Sequence, residues 1–294
     1  MKDIISFFGA SVTQQKSGYA VFLSNKLLND ETHIFGYGGN HIDDAGICFI
    51  DNIINVKSNY CFIDFFSTYY ISINDLTLEY LDTIIYKLTK SNCKIIFLFF
   101  LNEFHNDRIQ FYTFIKTYLK LQNLYYIDMN DFLEYNTELM RDSFHPSELG
   151  SEKYAKIIYD HFQKDKDKIE YPINITKTKY CEDIKVLNVN RIFNDTILLE
   201  GNCFIIAFYL IIGKKSGIVE INKERYPIWD QWCHYDRNHF NLKKILVKDN
   251  LEIKILQDNL DYSTCRREIT ELDINKELNI IYIYYIGDSL RIVN

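Results

Sequence analysis

Two short stretches, far apart in the chain, together hold the side chains that nucleophilic acyl transfer requires. Near the start, an apolar run ends in Phe8-Gly9-Ala10-Ser11-Val12-Thr13, and much later comes Asp142-Ser143-Phe144-His145-Pro146. Such chemistry needs a hydroxyl to attack, an imidazole to take its proton and a carboxylate to fix the imidazole's tautomer. Alone, a serine after a strand is ordinary turn chemistry, and a histidine beside proline is an ordinary helix start. Their order along the chain, and their common place on the predicted fold, give the set its meaning.

The elements that must position them alternate between short apolar runs and longer amphipathic ones, as a parallel α/β sheet requires. Strands are predicted over residues 4–8, 33–35, 60–65, 94–101 and 124–128. Helices are predicted over 18–28, 45–54, 75–90, 108–121 and 147–162, the third carrying Leu76, Leu78, Leu81, Ile84, Ile85 and Leu88 on its inner stripe. Right-handed crossovers then stack helices on both faces, giving a three-layer α/β/α sandwich. In such a sheet, ligands collect outside the carboxyl ends of the strands. Ser11 follows the first strand there, Gly36-Tyr37-Gly38-Gly39-Asn40 follows the second, and Asp142 and His145 precede the last helix. The glycines after strand two can bring a backbone N–H beside the serine as an oxyanion donor.

The catalytic-type domain is expected over residues 1–163. The charged run 164–170 and Pro172 suggest a solvated linker over 164–171. From 172 to 294 the runs become strand-length and β-branched, at 203–212, 217–221, 242–247, 251–256 and 278–286. Turn signals at 213–217 and 248–250 separate them, and a smaller antiparallel β-sandwich is expected.

Bulk properties exclude several classes. The chain has 294 residues, 47% of them hydrophobic and 25% charged, which suits packed domains and not wholesale disorder. A net charge of −7 with interspersed signs argues against nucleic acid, whose phosphates need clustered Lys and Arg. The seven cysteines are scattered and never spaced as CxxC, a pattern for free thiols in a reducing compartment. No apolar run is long enough to span a bilayer, so a cytoplasmic protein is expected.

On these residues the chain resembles the SGNH/GDSL hydrolase superfamily over about its first 163 positions. The family's Gly-Asp-Ser appears as Gly9-Ala10-Ser11, its second-strand glycine as Gly39, and its Asp-x-x-His-Pro as residues 142–146. The resemblance implies Ser11 as nucleophile, His145 as general base and then acid, and Asp142 as orienting carboxylate. It implies the amides of Ser11 and Gly39 as oxyanion donors. Two departures stand out. Alanine replaces the acid before the serine, and the family's Gly-x-Asn-Asp loop is replaced by Asp64-Phe65-Phe66-Ser67-Thr68-Tyr69. The third donor is then missing or supplied by the hydroxyl of Ser67 or Thr68. Losing one donor costs about a hundred-fold or more in rate.

Candidate substrate contacts are Gln14, Asn40 and His105 near the strand ends, and Trp229, Trp232 and Arg237 in the second domain. His105 also fits a polar loop leading to a helix cap, and the segment 229–239, which holds both tryptophans, also fits a packing loop. Aromatic faces beside Asp, Arg and Asn suit sugar rings. The two His and one Cys of that segment match no standard zinc spacing. The expected activity is acyl transfer on carbohydrate hydroxyls through an acyl-serine, with no bound cofactor. Weak arguments tilt it to an O-acetyltransferase acting on a surface-glycan sugar with acetyl-CoA as donor. An O-acetylesterase is the alternative, and a non-catalytic glycan-binding protein on a decayed hydrolase fold the further one.

Overall fold

The computed structural model describes residues 2–66, 75–103, 105–258, 265, 267 and 275–293, leaving out the side chains of 75–77 and 105–108. The chain divides into two compact units, Met1–Cys181 and Glu182–Asn294. In the first, strands alternate with helices in the order β1 Ile4–Gly9, α1 Ser11–Gln14, α2 Tyr19–Lys26, β2 Glu31–Gly36, α3 Ile50–Asn55 and β3 Tyr60–Asp64. There follow α4 Asp75–Lys90, β4 Lys94–Phe99, α5 His105–Leu121, β5 Tyr125–Asp128 and α6 Glu148–Asp165. The five strands are parallel in the order β2-β1-β3-β4-β5. The expected parallel α/β sheet flanked by helices is what the chain builds.

The core explains the near-continuous apolar strands. β1, β3 and β4 are covered on both faces, so Phe7, Phe62 and Ile96 are wholly buried. Phe62 stacks on Phe7 with ring centroids 5.4 Å apart and meets Phe162 of α6 edge-on at 5.3 Å. α2 packs on α6, and α3 on α4.

Two expectations are corrected here. A continuous helix over 45–54 is replaced by a π-helical segment, Ile42–Gly46, and the short α3. The segment packs closely on α4: a Cβ on Gly46 would lie 3.2 Å from Ile84 Cδ1 and 3.3 Å from Ile42 Cγ1. The segment 164–171 is not a free linker. α6 runs to Asp165, Ile169 is buried in the first unit's core, Tyr171 Oη donates to the carbonyl of Asn92, and Tyr180 is buried against Tyr80. Single apolar anchors hold an otherwise charged stretch down, so the boundary falls at Cys181 and not at residue 163.

The second unit is antiparallel, as expected. Its strands are β6 Lys185–Phe193, β7 Thr196–Ile212, β8 Ile218–Ile221, β9 Glu224–Pro227, β10 Arg237–Asn241, β11 Ile245–Leu256 and β12 Leu278–Ile292. All join one hydrogen-bonded sheet, ordered β6-β12-β7-β11-β8-β9, with β10 also on β7. The turn expected at 248–250 lies inside β11, whose ladder to β7 runs through Lys248, Asp249 and Asn250. The ladder to the long partner strand continues through Asp249 even though that residue, at φ of 63°, lies in the left-handed region. Register shifts along β12 supply the irregularity that strands of this length use to bend. Among the described residues no helix is long and apolar enough to cross a membrane.

Phe62→Ala should lower the first unit's stability by about 3–5 kcal/mol, because a stacked aromatic leaves a cavity that the sheet cannot close. The check is the urea midpoint of the unfolding transition. A midpoint equal to that of the unsubstituted chain would contradict the packing described.

Candidate active site

The turn that carries Ser11 is set by what β1 can tolerate at its end. A Cβ on Gly9 would stand 2.4 Å from Thr13 Oγ1 and 2.5 Å from the carbonyl oxygen of Asp64, so only glycine fits between β3 and the turn. The chain then enters α1, a single helical turn closed by the amide of Gln14 donating to the carbonyl of Ala10 at 3.1 Å. Ser11 opens that turn, half-exposed, and its backbone N–H is among the helix-start amides with no intrahelical acceptor.

The loop after β2 lies against this turn. Tyr37 N–H donates to the carbonyl of Gly9 at 2.9 Å, and Gly38 N–H donates to Gln14 Oε1 at 2.8 Å. An added Cβ on Gly38 would lie 3.7 Å from the Cβ of Ser11. Gly39 has φ of 74°, in the left-handed region that favours glycine. Asn40, almost fully buried, donates from Nδ2 to the carbonyl of Gly38 at 3.1 Å. Gln14 and Asn40 therefore serve the loop itself, Gln14 as acceptor and Asn40 as a buried donor. Gln14 remains exposed on this turn, whereas Asn40 is buried within the loop.

The histidine comes from the loop before α6. Ser147 caps that helix, its Oγ accepting from Gly150 N–H at 3.1 Å, while its amide donates to the carbonyl of Leu139 at 2.8 Å. The loop closes on itself through Arg141 N–H to the carbonyl of His145, 2.8 Å. Inside it, the Asp142 carboxylate accepts from the amides of Phe144 at 3.0 Å and His145 at 2.8 Å, and from His145 Nδ1 at 2.8 and 2.9 Å. His145 Nε2 lies 2.8 Å from Ser11 Oγ, across 134 residues of sequence. Serine, histidine and aspartate are thus brought into one hydrogen-bonded chain.

The electrostatics fix the proton positions. Partial burial pushes the Asp142 carboxyl up, but the two amides and the adjacent imidazole outweigh it and hold the group below the ordinary carboxylate range. An ionised carboxylate has no proton to give, so Nδ1 carries the ring proton and donates to it. Nε2 is then the acceptor, and Ser11 Oγ–H donates. Because the folded value is depressed, the loop's stabilisation by this carboxylate is complete above the ordinary range and is lost as pH falls through the lowered value.

Other expected residues are placed differently. Ser67 and Thr68 lie outside the described residues, as does the side chain of His105, whose backbone opens α5 instead of preceding it. In the second unit Arg237 is four-fifths buried and its guanidinium donates to Asp230, which also accepts from the Trp232 amide at 2.8 Å. Arg237 therefore holds its own turn together and is not offered outward as the sequence suggested. Trp229 is half-buried and Trp232 is 37% exposed. Sequence reasoning missed Glu103, which follows β4: Ser143 Oγ donates to its carboxylate, and its amide donates to the carbonyl of Ser143 at 2.9 Å. The signal lay in its place on the same rim as the Asp-x-x-His stretch.

No protein-family model matches the sequence, and neither does any curated protein. Solved structures do match. A two-domain esterase (CEX) active on acetylated mannans superposes with a TM-score of 0.64 at 12% identity, covering 96% of this chain and 91% of that one. The same esterase co-crystallised with mannopentaose gives 0.65 at 13% identity, covering 96% and 90%. An acetyl xylan esterase, AlAXEase, covers 54% of this chain and 98% of its own at 21% identity, with a TM-score of 0.46. At such identities the likeness is one of fold: a parallel α/β unit followed by a separate antiparallel sheet, matched over nearly the whole length of a two-domain esterase.

Asp142→Asn should leave the far-ultraviolet circular dichroism unchanged while slowing phosphonylation of Ser11 by a fluorophosphonate, on the order of 10³- to 10⁴-fold, since the amide favours the wrong tautomer. Labelling at the original rate would show that the carboxylate does not orient the ring.

Proposed function

We propose that this protein is a serine esterase that removes an acyl group, most simply acetyl, from a carbohydrate hydroxyl. The observation that carries the reading is the unbroken chain from Ser11 Oγ through the imidazole to the Asp142 carboxylate, each link within 2.9 Å. Ser11 Oγ attacks the ester carbonyl as its proton passes to His145 Nε2. The amides of Ser11 and Gly39 are the donors proposed for the oxyanion. The tetrahedral adduct collapses, the sugar oxygen leaves with the proton returned by His145, and an acyl-serine remains. Water then attacks the acyl carbon, again losing a proton to Nε2, and the acid departs as Ser11 recovers its proton.

Hydrolysis and transfer share every step until the second nucleophile arrives. Two facts support water. Ser11 is half-exposed, and both units align along almost their full length with an esterase described as active on acetylated mannans. An acetylated mannan-like glycan is accordingly the substrate class proposed, and Trp232, exposed on a turn pinned by Asp230, the aromatic face proposed to meet a sugar ring.

The wild-type chain should hydrolyse p-nitrophenyl acetate and release acetate from acetylated mannan, and Ser11→Ala should abolish both. Equal rates in the two proteins would end the serine mechanism. With acetyl-CoA and mannopentaose supplied together, the product expected by mass spectrometry is unmodified mannopentaose. An acetylated oligosaccharide would move the assignment to an O-acetyltransferase. Trp232→Ala should raise KM on the polymer by about ten-fold, one aromatic contact being worth about 0.5–1.5 kcal/mol beyond its area, while leaving p-nitrophenyl acetate kinetics unchanged. An unaltered polymer KM would remove that residue from the binding surface.

A further inference from the structure

The nucleophile turn is one helical turn long, too short to hold its own shape by internal hydrogen bonding. The acid that commonly precedes such a serine is absent, its place taken by the buried Ala10. Yet a carboxylate does lie beneath the turn. It belongs to Asp64, the last residue of β3, directly beside Gly9 in the parallel ladder and with no solvent exposure. Its carbonyl accepts from Ala10 N–H at 2.9 Å, and its Oδ2 accepts from Thr13 Oγ1 at 3.2 Å. Thr13 Oγ1 is in turn 3.0 Å from Tyr19 Oη, with both residues fully buried.

A threonine hydroxyl has a single proton. Since Thr13 gives it to Asp64, Tyr19 must donate to Thr13, and the polarity of the chain runs Tyr19 to Thr13 to Asp64. Burial first, and then the Asp64 charge, push the Tyr19 phenol well above its ordinary value, so it keeps its proton and remains a donor. Every hydrogen in this row points at the carboxylate. The backbone and one side chain of the turn therefore both hang from the same residue of the neighbouring strand.

We infer that Asp64 is the positioning residue of the nucleophile turn, acting through Thr13 to set the direction of Ser11 Oγ, and so replacing from β3 the acid missing at position 10. The inference rests on Ser11 being the nucleophile. Asp64 touches neither substrate nor reacting atoms, so its effect falls on the fraction of time the hydroxyl spends aligned with Nε2. That alters the chemical step and not substrate affinity.

The test compares wild type, Asp64→Asn, Thr13→Val and Thr13→Ser on p-nitrophenyl acetate. Active sites are counted by fluorophosphonate stoichiometry, and the labelling rate constant of Ser11 is measured alongside. Thr13→Val and Asp64→Asn are expected to lower kcat per active site by about ten- to a hundred-fold with KM unchanged, and to slow labelling in parallel. Thr13→Ser, which keeps the hydroxyl, should restore both to within about three-fold of wild type. Wild-type kcat per site in Thr13→Val, or a loss confined to thermal stability, would overturn the inference. If a variant at 13 or 64 does not fold, Tyr19→Phe decides: loss of the outer donor should cost about two- to ten-fold in kcat, and no loss overturns the row. Failure of the wild type itself to label at Ser11 would instead defeat the serine-esterase reading.

Discussion

The hydrogen bond between Ser11 and His145 is the constraint on which the remainder depends. It joins groups 134 residues apart at 2.8 Å, so nothing local can create it. β1 must lie centrally in the sheet, α6 must begin at the same edge, and both must be packed from either side. In the order β2-β1-β3-β4-β5 the chain leaves β1 for one neighbour and later returns to place β3 on the other. Loops that diverge from a common strand open a crevice there, and Ser11 stands in it. The aromatic stack of Phe7, Phe62 and Phe162 ties those same three elements together, so core packing and site geometry are set by one set of contacts.

Each partner of that bond is held by groups spending their polarity locally. Asp142 is at once the acceptor for its own loop's amides and for the imidazole, so the loop's shape and the ring's tautomer are fixed by one carboxylate. On the other side, Gln14 and Gly38 exchange a hydrogen bond that holds the β2 loop beside the serine. Glu103 ties the end of β4 to Ser143, between the aspartate and the histidine. The rim is therefore a set of loops braced against one another by polar contacts and anchored by buried apolar residues such as Phe65, Leu101, Leu139 and Met140. A site built this way is sensitive to single polar substitutions that leave the core intact.

Much of this was legible in the residues. Apolar runs bounded by turn signals located all five parallel strands, most plainly β1, β3 and β4, because strands buried on both faces cannot alternate polar and apolar positions. Asp142-Ser143-Phe144-His145-Pro146 announced itself because the spacing that lets a carboxylate cap its own loop is also the spacing that reaches Nδ1. What stayed hidden depended on a neighbour far off in sequence. The π-helical turn at Ile42–Gly46 packs against Ile84, and residues 166–180 are held by the surface of α4 and the loop that leads into β4. Arg237 looked available because nothing in the sequence announces that Asp230, seven residues earlier, folds back onto it. Polar residues flagged by type alone turned out to make hydrogen bonds within the chain that their sequence positions did not announce.

Asp64 carries the same lesson further. A motif records a residue at a sequence position, whereas the chemistry needs a charge at a point in space. In a parallel sheet the ends of β1 and β3 lie side by side, with Gly9 and Asp64 as ladder partners, so an acid can move from one strand's exit to the next without leaving the crevice. Alanine at position 10 is then compatible with a working turn, provided that a hydroxyl within reach, here Thr13, transmits the restraint. The glycine at position 9 becomes obligatory by the same move, because the carbonyl of Asp64 occupies the space a side chain would need. Gly9, Thr13 and Asp64 are accordingly one structural unit, in which an alanine precedes the serine without loss of the turn's hydrogen bonds.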